Sequence, residues 1–154
     1  MAYKSIIIKA HPEACLSEWP ADAAITPGHI LEINSTSEVK VHATAGGTIK
    51  GLIVALENSP EGQTISDAYA ALDRVYCWHP RPGDEFYGLV LNGENIAIGD
   101  VLESGASGTL RKLVADTSAL TVKVGSLVGV ALEAVDMSSS DGADPSGRIR
   151  VLVI

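Results

Sequence analysis

Hydrophobic positions along this chain alternate or gather in short runs, and almost nowhere do they recur at helical spacing. Residues 39–44 show the pattern most clearly: Val39, Val41 and Ala43 alternate with Lys40, His42 and Thr44, the period of two expected of a half-wet strand. With residues 29–34 across the polar loop Ser35-Thr36-Ser37, they predict a hairpin. Short β-branched or apolar runs predict further strands at 5–9, 48–57, 73–78, 86–91, 101–104, 109–114, 120–124, 127–134 and 148–154. Turn clusters separate them at 58–62, 80–84, 92–93 and 138–147, and Asn92-Gly93 suits a tight turn because both residues accept positive φ. Only residues 66–72, with Ser66 as cap, offer two turns of helix. The expected fold is mainly β: a single-domain β-sandwich or small β-barrel with little helix. Residues 1–26 read as an extended N-terminal arm and loop, and residues 27–154 as the β-rich core.

The chain also carries an internal echo. Gly28-His29-Ile30-Leu31-Glu32 returns as Gly99-Asp100-Val101-Leu102-Glu103, and Val54-Ala55-Leu56-Glu57 as Val130-Ala131-Leu132-Glu133, at offsets of 71 and 76 residues. Matches this short arise by chance in a Gly-, Val- and Leu-rich chain. If they reflect structure, they imply two similar β-units packed together, with too few copies for a solenoid.

Composition narrows the core and the partners. A length of 154 residues fits one domain, and with 46% hydrophobic residues but a single Phe, the core must be built from Val, Ile, Leu and Ala. Such side chains suit thin sheets. The net charge of −8, with no basic run longer than a pair, argues against direct nucleic-acid binding, which needs a basic face to displace counterions from phosphates. Ile6-Ile7-Ile8 is too short for a membrane span or signal segment, and two cysteines do not make a disulfide scaffold. The expectation is a reduced, soluble protein without a membrane partner.

Catalytic and metal motifs are not evident. There is no Gly-x-Ser-x-Gly, Walker loop or His-Glu-x-x-His, and Gly105-Ala106-Ser107-Gly108 lacks the strand-to-helix context of a nucleophile elbow. His11, Cys15, Cys77 and His79 make up a set that tetrahedral zinc accepts, yet their spacings match no zinc ribbon or knuckle, and Cys77 reads as a small buried hydrophobe. Residues 138–144 supply Asp and Ser oxygens without the calcium-loop pattern. No catalytic residue, metal or cofactor is expected. Trp19, in Glu18-Trp19-Pro20, reads as a loop residue, either a plug beneath the arm or an interface anchor.

Three stretches carry a family resemblance: Pro27 to Glu32; Pro82 to Tyr87 continuing through Asn92 to Lys112; and Val128 to Ala134 followed by the closing strand Arg148 to Ile154. Together they resemble the capsid cement and head decoration proteins of tailed phages, a group that includes the lambda head decoration protein. The resemblance implies a virion structural protein and not an enzyme: a homotrimer on the outer surface of the expanded capsid, bound to the major capsid protein and stabilising the shell. It also implies attachment through an extended N-terminal segment. Here Tyr3, Lys4, Ser5, Ile6, Ile7, Ile8 and Lys9 would form that segment, with Trp19 and Arg81 as further contacts, although the same run can equally be an ordinary first strand of the fold. The chain is longer than the lambda protein before Pro27 and over 57–73. Two alternatives remain open: a tail or fibre β-module, and a β-clip nucleotide hydrolase, for which no phosphate-directed motif is found.

Overall fold

Thirteen short strands form, most of them on the runs that the sequence predicts, in a computed structural model that describes residues 3–114, 124–139 and 147–154. They are β1 (Ile7–Lys9), β2 (Cys15–Pro20), β3 (Ile30–Ile33), β4 (Val39–Val41), β5 (Ile53–Ala55), β6 (Arg74–His79), β7 (Glu85–Leu89), β8 (Asn95–Ile96), β9 (Val101–Ser104), β10 (Leu110–Lys112), β11 (Leu127–Ala131), β12 (Val135–Asp136) and β13 (Arg148–Val153). The described helical elements are two single 3₁₀ turns, Ser59–Glu61 and Val124–Ser126. One sheet has the order β2-β6-β5-β3-β4, another β1-β7-β13-β11-β9-β10, and β8 pairs with β12 in a small ribbon. Every named pair is antiparallel, and the result is a mainly β, sandwich-like domain.

The two large sheets are the same unit built twice. Leu31 pairs with Val41 as Leu102 does with Lys112, and Ile30 with Val54 as Val101 does with Val130. Val54 opposes Trp78 as Val130 opposes Leu152, and Leu16 opposes Trp78 as Glu85 opposes Leu152. The echo seen in sequence is therefore the visible part of a repeat running from β2–β6 into β7–β13. Its two glycines do the same job. Gly28 (φ 92°) donates its N–H to the Ala55 carbonyl at 2.8 Å, and Gly99 (φ 88°) donates to Ala131 at 2.8 Å; both turns need the left-handed backbone that glycine tolerates. Each sheet also rolls back on itself. Ala21 bridges Val39 and Val90 bridges Leu110, both in parallel, with Asp22 donating to the Val39 carbonyl and Leu91 to that of Leu110.

Packing follows from this rolling. The first unit encloses Leu31, Val39, Ile53, Ala55, Val75 and Cys77, capped by Ala21, Ile25 and Tyr69. Its other face offers Ile30, Val54 and Trp78 to the main core, where they meet Ile6, Phe86, Leu102, Leu110, Ile149 and Val151. Burial of Cys77 pushes its thiol up to about 12, so it behaves as the small hydrophobe expected.

Several expectations need correction. β2 is a strand of the five-stranded sheet, so Trp19 is a strand residue opposite Val75 and not a loop residue, and the stretch read as arm and loop is built into the fold at Ile6 and again from Cys15. Residues 66–72 form no helix; Tyr69 instead bridges Ile25, and its hydroxyl donates to the Leu56 carbonyl at 2.8 Å. The run at 48–57 shrinks to β5, because the chain bends away at Gly51 (φ 122°). The strand expected at 120–124 lies, but for Val124, outside the described residues, as does most of the polar turn at 138–147.

His29 follows Gly28 at the joint between the units, and burial, aided by the charge of Arg148, pulls its pKa down to about 4. Its Nδ1 accepts the Thr26 N–H at 3.1 Å, which requires the unprotonated nitrogen. The folded pKa lies below the unfolded one. The stabilisation is thus complete above pH ~6.5 and is lost as pH falls toward ~4, by about 2 kcal/mol at pH ~4.5. Urea titrations at neutral and mildly acid pH should show this loss in the parent chain and a clearly smaller one in His29→Gln.

Candidate attachment surface

Ile6 anchors the N-terminal segment, because its side chain has no exposed surface and forms part of the main core. Backbone and side-chain bonds hold the residues around it. The Tyr87 N–H donates to the Ile6 carbonyl at 2.9 Å, the Ile6 N–H donates to Glu57 Oε2 at 3.1 Å, and the Ser5 hydroxyl donates to Glu57 Oε1. Tyr3 sets its ring edge-on to Tyr87 at 5.1 Å, beneath the Arg150 guanidinium, which also donates to the Tyr3 hydroxyl at 3.3 Å. β1 then pairs with β7, Ile7 opposite Phe86 and Lys9 opposite Glu85, as the outermost strand of the six-stranded sheet. The segment read as a capsid-binding arm is thus paired within its own fold, leaving Lys4 and Lys9 exposed and Tyr3, Ser5, Ile7 and Ile8 half-buried.

Asp84 clamps the end of this segment to the β6–β7 turn. Its carboxylate accepts the His11 N–H at 2.8 Å, contacts His11 Nδ1, and accepts the Arg81 N–H at 2.8 Å. Burial pushes this carboxyl up, but the donors at Arg81 and His11 outweigh it and hold it below the ordinary value. The arm and Arg81 therefore come together on one surface, with the Arg81 side chain exposed. Trp19 does not join them. It lies four residues along β2 from Cys15, roughly 13 Å away, half-buried against the first unit's interior, its Nε1–H donating to Ser17 Oγ at 3.1 Å. Glu57, Asp84, Tyr87 and Arg150, which secure the segment, lie more than 45 residues away in sequence and carry no local motif that would reveal them.

Other chemistry can be placed too. His42 Nδ1 lies 2.8 Å from Ser104 Oγ and its Nε2 3.7 Å from Glu32 Oε2, a Ser–His–acid sequence. Ser104 has no exposed surface, so no acyl group can reach it, and the His42–Ser104 pair serves as a buried polar link between the units. The Cys and His residues whose types alone would suit zinc have other roles: His11 faces Asp84, His79 Nε2 bonds Ser17 Oγ at 2.7 Å, and Cys77 is buried. Among the described residues no group of three or more His, Cys, Asp or Glu is arranged to hold a metal, and no helix is long and apolar enough to cross a membrane.

These features define a duplicated, sandwich-like β-domain with one strand added at an edge. The chain is similar in fold to the N base of the head fibre protein gp8.5 of bacteriophage phi29, with a TM-score of 0.56 over 92% of this chain and 95% of that one, at 12% sequence identity. No family model and no curated protein matches the sequence.

Proposed function

We propose that this chain is a structural protein of a phage head, seated on the outer surface of the capsid. The observation that carries the reading is the fold likeness, which spans nearly the whole of both chains and whose counterpart is the base of a head fibre. The acidic surface, the resemblance to cement and decoration proteins and the full burial of Ser104 beside His42 favour a role in binding over turnover. The partner would be the major capsid protein, and the chain would act as a homotrimer, without nucleic acid or membrane.

Two finer roles fit. As a cement protein the chain would stabilise the expanded shell; as a fibre base it would dock on the shell and present something else. The likeness to a fibre base supports the second as well as the sequence resemblance supports the first. Lys4, Lys9 and Arg81 are the exposed cations of the arm surface and the proposed contacts. Expanded capsids lacking this protein should bind it saturably on cosedimentation, and reversing these three charges, which leaves Ile6 in place, should weaken binding at least tenfold. A rise in the melting temperature of the loaded shell identifies cement; binding with no rise identifies a fibre base. Absence of binding to the parent shells overturns the proposal.

A further inference from the structure

We infer that the outer edge of β2 is a strand-accepting site, and that its occupant is a short extended segment of a partner protein, β-branched and basic. The inference stands on the internal repeat and holds whether or not the virion reading does. β2 and β7 are counterparts, with Leu16 answering to Glu85 and Glu18 to Tyr87 through their partners Trp78 and Leu152, Tyr76 and Arg150. On β7 the outer edge is filled: Tyr87 gives its N–H to Ile6, and β1 lies alongside. On β2 the same edge is the end of its sheet.

The phase of the hydrogen bonds shows which groups are free to pair there. Leu56 donates to the Tyr76 carbonyl, so Tyr76 and Trp78 turn their backbone groups toward β5, and Val75, Cys77 and His79 turn theirs toward β2. Trp19, Ser17 and Cys15 therefore bond to β6, and the backbone groups of Leu16 and Glu18 point outward, as those of Tyr87 do on β7. Ala21 donates to Asp73 in the same phase.

The side chains indicate the occupant. Leu16 is 60% exposed, an apolar surface that an added strand would cover, and Cys15 and Glu18 beside it are exposed. Glu13 and Glu18 make this rim acidic, which favours a segment with a basic residue, and β1 itself brings Lys9 to the equivalent edge opposite Glu85. Pro20 offers no N–H, so the site is short, centred on residues 16–19. A second copy's arm is a poor occupant, because Ile6 is buried in its own core.

The probe is a blocked heptapeptide with the sequence of residues 3–9, the one strand known to pair with the equivalent edge, titrated into the ¹⁵N-labelled full chain. Saturable amide shifts centred on Leu16 to Glu18 are expected, with slowed hydrogen exchange at Glu18. Glu18→Pro removes the outward donor while sparing the β2–β6 ladder, and should weaken binding at least ~5-fold; Leu16→Ser, a second variant at an exposed position, should weaken it by a similar factor. Absence of shifts overturns the inference. So do shifts centred on Phe86 and Tyr87, which would mean that the peptide replaces β1. A concentration-dependent dimer of the free chain abolished by Glu18→Pro also overturns it, by assigning the edge to a second copy.

Discussion

Replacing Arg111 with alanine is expected to cost about 3 kcal/mol of stability, while Lys40→Ala, at the matching place in the other repeat, should cost under ~1 kcal/mol. Both residues answer a glutamate across the first hairpin of their unit: Arg111 meets Glu103 at 2.7 Å and Lys40 meets Glu32 at 3.0 Å. They differ in burial. The Glu103 side chain is only 4% exposed, whereas Glu32 and Lys40 are each about one-third exposed, at 33% and 38%. Removing Arg111 leaves a buried carboxylate with only neutral donors, the Ser126 hydroxyl and the Val114 N–H. Removing Lys40 leaves Glu32 in contact with water. Urea titration of the two variants measures the contrast. If the cost at Arg111 comes from the stranded charge, the double change Glu103→Gln with Arg111→Met should recover more than half of it; equal losses at Arg111 and Lys40 would mean that burial does not govern the pair.

Ile6→Ala should cost about 2–5 kcal/mol, the range for emptying a buried aliphatic site. It tests whether the N-terminal segment is structural in the free protein. Hydrogen exchange gives the local signature: the Tyr87 amide, bonded to the Ile6 carbonyl, should lose protection well before the Ala55 amide, which is bonded to His29 inside the first unit. Ile8→Ala, at a half-buried position, should lose distinctly less. An arm that acts only by reaching for a partner would show no such hierarchy.

Most strands were legible because their apolar residues alternate or cluster without help from elsewhere. Val101–Ser104 was placed to the residue, and the hairpin at Ser35-Thr36-Ser37 formed where the polar loop predicts it. β2 was not legible. Cys15-Leu16-Ser17-Glu18-Trp19-Pro20 shows no alternation and ends in proline, and it is a strand because β6 supplies its ladder from about 60 residues away. The opposite error at 66–72 has the same origin: an Ala-rich stretch with helical potential is drawn out by Tyr69 entering the first unit's interior. The arm was readable as a strand but its acceptor was not, since β7, Glu57 and Asp84 meet it only through the fold. The repeat lay between these cases. The Gly turns with the Leu-Glu pairs that follow them and the Val-Ala-Leu-Glu stretches kept their letters, while the pairing register carries most of the rest.

Because the five strands of one large sheet have counterparts in the other and β1 is added to only one of them, the molecule's two large sheets are uneven by a single strand. That imbalance sets its valence. With β1 in place there is one vacant seat of this kind, so a docked partner ends the series. A chain clipped before Cys15 would have two matching seats, at Glu18 and at Tyr87, and nothing to stop strands from bridging one copy to the next in an open-ended row. The N-terminal strand is in this sense a stopper against polymerisation, whatever else it touches.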